Sequence, residues 1–292
     1  MPLRQITIIG TGLIGGSLAL ALRRKKFAGK IIGCDREAIL EKARNCGAID
    51  EGTVEPGDAV RGSDLVVLAT PVLAIVDLIQ RLGPALPRHA LLTDVGSTKA
   101  LVVECAKKVF GKNAGHCFLA GHPMAGKEVS GVEFADAELF HKAVWFVTPL
   151  ENQNMQEGLI GEYLGWIDHI GARVAMMPAN EHDRLCAWIS HLPQMISTAL
   201  SAALVEEFGE DAPLLPAGGR ALQEMTRISA SPYSMWRDVA ISNNKNLADA
   251  LWKLEQRLAH IRENLATREL AQEFNQAHAL RKSATPKKPR AD

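Results

Sequence analysis

Residues 8–19 read IIGTGLIGGSLA, and this stretch decides the fold. The apolar run that enters it at Ile6 is short and β-branched, as a buried strand is, and from Leu13 the chain takes on helical spacing. Between them Gly10, Gly12 and Gly15 stand at the GxGxxG spacing. In a strand-to-helix turn that meets a dinucleotide, the first glycine permits the tight bend and the second lets the backbone approach a pyrophosphate. The third lets helix and strand pack closely. The helix start at Leu13 and Ile14 offers unpaired N–H groups to the anion. Asp35 closes the next strand, where a carboxylate accepts hydrogen bonds from the adenosine ribose, so NAD is the expected cofactor. Arg36 beside it could pair with a 2′-phosphate and keeps NADP as the alternative.

Outward from this turn, apolar β-branched runs at 6–9, 30–34, 65–69, 90–94, 118–120, 143–148 and 173–177 alternate with helical segments at 13–25, 36–46, 73–82 and 99–109. The alternation predicts an α/β, Rossmann-type doubly wound parallel sheet with helices on both faces. After Pro178 strand signals vanish, so an all-α second domain is expected: 1–177 for the nucleotide, 178–280 helical. Leu247, Leu251, Leu254, Leu258, Ile261 and Leu265 recur at steps of four and three, the seam of a helix that packs lengthwise in an intrachain core or a dimer. Residues 281–292 hold two prolines, with no apolar residue larger than alanine in SATPKKPRAD, and are expected to be a disordered tail.

The 292 residues carry no formal net charge, which speaks against a phosphate-driven nucleic-acid binder. No apolar run approaches the roughly 20 residues of a membrane span. The N-terminus lacks the features of an export signal, so a cytoplasmic protein is expected. Five scattered cysteines make no CxxC pair and nine histidines no HExxH, so neither a disulfide framework nor a metal is expected.

Two further segments follow apolar strands at the carboxyl ends where doubly wound sheets hold ligands: TDVGSTK at 93–99 and GHPMAG at 121–126. Taken alone, Ser97 reads as a helix N-cap and His122 as a turn residue before Pro123 as readily as either reads as catalytic. Together with ATPV at 69–72, EHD at 181–183, SHLP at 190–193 and TRISASPYSMWRDV at 226–239, however, these segments resemble the prephenate and arogenate dehydrogenases of tyrosine biosynthesis, over nearly the whole chain.

The resemblance implies a Rossmann domain followed by a helical dimerisation domain, a homodimer through the C-terminal helices, and a reaction. Hydride leaves C4 of a 4-hydroxycyclohexadienyl acid for the nicotinamide, the ring carboxylate departs as CO2, and the ring becomes aromatic. It implies that His122 takes the C4 hydroxyl proton and that Ser97 orients that contact. Arg227 pairs with a substrate carboxylate, and His182, His191 and Trp236 shape the pocket. Thr70 and Pro71, in the ATPV segment, fall at the cofactor. The sequence departs from the family pattern in one place. Gln194 stands where members with strong prephenate activity often carry histidine, which leaves arogenate as the alternative substrate. Outside the family, a β-hydroxyacid dehydrogenase, a pyrroline carboxylate reductase or a non-enzymatic dinucleotide sensor shares the two-domain plan, but none of them explains His122 and Arg227 where they stand.

Overall fold

The computed structural model describes residues 3–151, 153–210 and 213–283. Eight strands form one sheet: β1 (Gln5–Ile9), β2 (Lys30–Cys34), β3 (Glu51–Thr53), β4 (Leu65–Leu68), β5 (Leu91–Asp94), β6 (Phe118–Pro123), β7 (Val144–Thr148) and β8 (Arg173–Met176), in the order β3-β2-β1-β4-β5-β6-β7-β8. All neighbours run parallel except β6 and β7. The order reverses between β1 and β4, the switch point at whose carboxyl side an open α/β sheet binds ligands.

Alternation along the strands feeds two cores. Ile6 and Ile8 of β1 and Leu65 and Val67 of β4 bury one way, toward α1 (Leu13–Arg24), α2 (Glu37–Asn45) and, across the sheet, Phe140 and Trp145. Val66 and Leu68 bury the other way with Ile75, Leu78 and Val102. A four-residue helix α3 (Pro56–Ala59) precedes β4, and α4 (Val72–Leu82) and α5 (Ala100–Phe110) cover that second face. A short α6 (Ala114–Cys117) leads into β6, and α7 (Gly158–His169) joins β7 to β8.

Besides the short helices α3 and α6, the structure differs from the sequence reading at three elements. Strand β3 is added at the edge: Glu51–Thr53 has no apolar alternation and exists through its register with Ile32 to Cys34. Helix α7 is added because Gly161 and Gly165, poor helix formers, sit within its span and hide its periodicity. Strand β6 runs past Ala120 to Pro123, because β7 returns antiparallel and pairs His122 with Phe146.

Among the described residues, every element after Met176 is helical. Helix α8 (Ala179–Cys186) passes through one turn of π-helix over Ala187–His191 into α9 (Leu192–Phe208). Pro193 explains the widened turn, since it has no N–H to donate and its ring crowds the preceding carbonyls. There follow α10 (Leu214–Thr226), which breaks at Gly219 with φ +60°, α11 (Tyr233–Ser242), α12 (Asn244–Glu263) and α13 (Ala271–Ser283).

The described residues up to Leu247 form one compact unit and those from Ala248 a second, so the helices up to Leu247 belong with the sheet. In the second unit Arg257 donates to Glu273 at 3.1 Å, which ties α13 back to α12. Helix α12 ends at Glu263, two residues before Leu265, and Leu258 is 55% exposed, so the apolar seam is only partly covered within one chain. Of the tail expected over 281–292, the first three residues end α13 and the rest lie outside the described residues. No described helix is long and apolar enough to cross a membrane.

Candidate active site

A cleft of about 350 Å3 opens at the carboxyl side of the sheet. Its walls are Leu13 and Ile14 at the start of α1, Thr70 and Pro71 after β4, Ser97 after β5 and His122 near the end of β6, and α11 closes it with Met235 and Val239. Helix α11 is held there by Asp238, which accepts from the N–H of Leu73 at 3.4 Å, and by Ser242, whose hydroxyl meets that of Thr98 at 2.8 Å.

The three glycines of the turn answer to different neighbours. Gly10 has φ +94°, and a Cβ there would lie 2.6 Å from the carbonyl oxygen of Ala69. At Gly15 a Cβ would lie 2.0 Å from the carbonyl oxygen of Gly10. Gly12 is different: its φ of −75° is ordinary, its ψ of −149° lies beyond the extended range that other residues favour, and an added Cβ would meet nothing within 4 Å. No atom of the folded chain would obstruct a side chain at this position; a ligand lying on the backbone would. Asp35 stands at the rim of the turn, accepting from the N–H of Thr11 at 2.8 Å through Oδ2 and from the N–H of Arg36 at 2.8 Å through Oδ1. Arg36 itself is exposed. The buried hydroxyl of Thr70 has no protein partner, which suits a ligand in the cleft.

Behind His122 lies a buried network of hydrogen bonds. His122 Nδ1 lies 2.9 Å from His182 Nε2, and His182 Nδ1 lies 2.8 Å from Asp183 Oδ1. Asp183 also accepts from the N–H groups of Lys99 at 2.7 Å and Ala100 at 2.9 Å, so its carboxylate caps α5. Ser97 is therefore not the N-cap that its position suggests; it lines the cleft instead. The loop between β5 and α5 is pinned by a second buried pair. Lys99 Nζ donates to Asp94 and, at 2.6 Å, to the carbonyl of Gly121, while Asp94 accepts from the N–H of Gly96 at 2.8 Å.

Burial and the neighbouring His182 hold the pKa of His122 well below the usual histidine value, so its imidazole is neutral at pH 7. Burial also pushes the Cys186 thiol up to about 12, which keeps it protonated. Among the described residues, one group of histidine and cysteine donors is tight enough to share a metal ion: His122, His182 and Cys186, within 4.8 Å of one another. There the two rings are already joined by a hydrogen bond.

The sequence reading places His182 on the substrate. The structure puts it at 0% exposure behind His122, where it cannot reach the cleft. His191 and Trp236 meet edge to face with ring centres 6.0 Å apart. Asn243 donates to His191 Nδ1 at 3.2 Å, which leaves its proton on Nε2, and that nitrogen and Trp236 Nε1 are both buried with no protein partner. Gln194 is buried and donates to the carbonyl of Ile228 at 3.0 Å, holding the turn that carries Arg227. Arg227 faces a separate, larger cavity formed by α9 and α10 and is ion-paired with Glu128 of the GHPMAGKEVSG segment.

Asp94, Lys99 and Asp183 were given no role in the sequence reading, though each lies inside a quoted segment. The available signal was charge at the end of an apolar strand, in DVGSTK, and an acid beside a histidine, in EHD.

Both halves of the chain match known proteins. A family model described as prephenate dehydrogenase, nucleotide-binding domain, matches residues 18–175, and one described as prephenate dehydrogenase, dimerization domain, matches residues 178–278. Prephenate dehydrogenase of Lactococcus lactis is 31% identical, over 97% of this chain and 80% of that protein. The crystal structure of prephenate dehydrogenase from A. aeolicus in complex with hydroxyphenyl propionate and NAD+ is 31% identical, with a TM-score of 0.86 over 98% of this chain and 99% of that one. The structure of Synechocystis arogenate dehydrogenase is 27% identical, with a TM-score of 0.75 over 96% of this chain and 100% of that one. With both halves matched in order and a relative above 30% identity along its length, the chain belongs to the prephenate dehydrogenase family.

Proposed function

We propose that this protein is a cytoplasmic, homodimeric enzyme that converts prephenate and NAD to 4-hydroxyphenylpyruvate, CO2 and NADH, with residues 1–177 holding the cofactor and 178–280 contributing the substrate pocket and dimer contact. The observation that carries the reading is His122: a neutral imidazole bonded on one ring nitrogen to buried protein, at the wall of the cleft that the glycine turn enters. The open space over Gly12 and the unpartnered Thr70 hydroxyl support a cofactor there. Gly10, Gly12, Leu13, Ile14 and Gly15 would hold its pyrophosphate, Asp35 and Arg36 its adenosine ribose, and Thr70 and Pro71 its nicotinamide end. Bound there, NAD supplies the hydride acceptor.

The chain's own residues then do three things. His122 Nε2 takes the proton of the C4 hydroxyl as that carbon gains carbonyl character, oriented by Ser97. Cleft walls of Pro71, Val72 and Val95 exclude water from the reacting carbon. His191 and Trp236 pack edge to face behind the pocket and shape it, and Arg227, once released from Glu128, pairs with a carboxylate. Carbon dioxide leaves with the bond electrons retained by the ring, and the formation of an aromatic system drives the step. Arogenate is the second reading, favoured by Gln194 and by the likeness to the Synechocystis enzyme.

Exposed apolar side chains on the C-terminal helices, among them Phe208, Leu258 and Phe274, support the homodimer. The test of the catalytic role is His122→Asn. This variant should bind NAD normally and lose roughly 10²- to 10⁴-fold in kcat. A folded variant with near-normal kcat would remove His122 from the reaction.

A further inference from the structure

His122 has two ring nitrogens, and only a proton on the buried one leaves the other able to act as a base. We infer that Asp183, acting through His182, is the positioning residue that fixes this tautomer. The inference rests on His122 being the base and concerns how that base is held.

The chain of bonds can be followed from its anchored end. Asp183 is 1% exposed, and its carboxylate accepts from two backbone N–H groups, those of Lys99 and Ala100, which cannot turn away. They lie at the start of α5, the positive end of a helix, so the carboxylate is held as an acceptor. His182 Nδ1, 2.8 Å from Asp183 Oδ1, must therefore carry a proton. The charge of Asp183 is already met by the two backbone N–H groups and the His182 Nδ1–H, and Lys99 is paired with Asp94, so the network closes with one proton on His182 and its Nε2 bare. That bare nitrogen lies 2.9 Å from His122 Nδ1 and 3.4 Å from Cys186 Sγ; wherever the thiol points, two bare nitrogens 2.9 Å apart would repel, so His122 Nδ1 is a donor. His122 Nε2 is left unprotonated toward the cleft, and among the described residues it has no hydrogen-bond partner.

Two consequences follow. When the hydroxyl proton reaches His122 Nε2, the resulting imidazolium already donates through Nδ1 toward an anion one ring away, which offsets part of the cost of charging a buried group. In addition, the carboxylate that sets the tautomer also caps the helix beginning just after Ser97, so one side chain places both groups at the cleft.

The experiment is ¹⁵N NMR of the unmodified protein with labelled histidine rings, in which His122 is assigned by the signals lost in His122→Asn. The expected spectrum has His122 protonated at Nδ1 and bare at Nε2. Asp183→Asn supplies the second arm: its amide can donate to His182 Nδ1, which reverses both rings. In this variant the His122 proton should move to Nε2 and kcat should fall by roughly 10²- to 10⁴-fold, with KM for NAD and prephenate changed by less than about threefold. A purely structural role for Asp183 would leave the tautomer where it was. A proton on His122 Nε2 in the unmodified protein, or a folded Asp183→Asn with unchanged kcat, overturns the inference. The expected tautomer together with a fully active His122→Asn would uphold it and sink the reading of His122 as base, so the two failures are distinguishable.

Discussion

Replacing Gly12 and Gly15 separately with alanine should damage the protein in opposite ways. At Gly15 the new methyl carbon would sit 2.0 Å from the carbonyl oxygen of Gly10, 2.9 Å from Ile8 and 3.1 Å from Ala69, so strand and helix must part. Overpacking of this kind costs about 1–3 kcal/mol, and at roughly 2–4 °C per kcal/mol for a unit of this size the melting temperature should fall by several degrees. At Gly12 the methyl meets no protein atom within 4 Å and only the ψ of −149° is unusual for alanine, so stability should fall by no more than about 1 kcal/mol. The methyl would instead occupy the space over which a pyrophosphate lies. Losing one or more charge-assisted bonds to backbone N–H groups, each worth roughly 1.5–3 kcal/mol, should weaken NAD binding by about 10- to 150-fold or more. Thermal melts and NAD titration by fluorescence or calorimetry separate the two effects. Unchanged NAD affinity in Gly12→Ala, with the fold intact, would refute the placement of the cofactor on this turn.

Asp35→Ala should narrow the preference for NAD over NADP, because it removes the carboxylate that a 2′-phosphate must approach; equal kcat/KM with both cofactors in the unmodified enzyme would overturn that role. Arg227→Ala should raise KM for the substrate by about 10- to 150-fold with a smaller change in kcat, and an unchanged KM would place the carboxylate elsewhere. Burial holds the pKa of His191 down at about 4 and that of His122 well below the usual value, so the unfolded chain binds more protons than the folded one below about pH 6.5. Stability should therefore fall as pH drops from about 6.5 toward 4, by up to roughly 3 kcal/mol from His191 alone, and a stability that is flat across this window would contradict the buried neutral rings. For the same reason the acid limb of kcat should lie below, not at, the ordinary histidine value. Sedimentation in dilute solution should give a dimer, and a fully active monomer would return the Leu247 seam to an intrachain role.

The parts of the molecule legible in the sequence are those made by neighbours in the chain. The glycine turn, the buried strand Leu65–Leu68 and the loss of strands after Pro178 are local patterns of size and polarity, and the structure places them where the spacing does. Strand β3 was not legible, because an exposed three-residue edge is formed by register with β2. His122 appeared as a turn residue because its strand conformation comes from a partner, Phe146, that follows it in an antiparallel return.

The interior of the site was the least legible. Asp183 caps a helix that begins 83 residues before it, and His182 backs a histidine 60 residues away; no period or local motif encodes such a meeting. What the sequence did carry was the residue types, in DVGSTK, GHPMAG and EHD, and the fold supplied the order in which they touch.

An NAD-linked oxidation of prephenate at the His122 cleft is measured directly by its products. Purified protein mixed with prephenate and NAD should develop the absorbance of reduced nicotinamide and release CO2 in equal amount, with 4-hydroxyphenylpyruvate as the other product. The same mixture with His122→Asn should do so roughly 10²- to 10⁴-fold more slowly. No reduced nicotinamide from prephenate, at an enzyme concentration where NAD binding is demonstrated, would contradict the account.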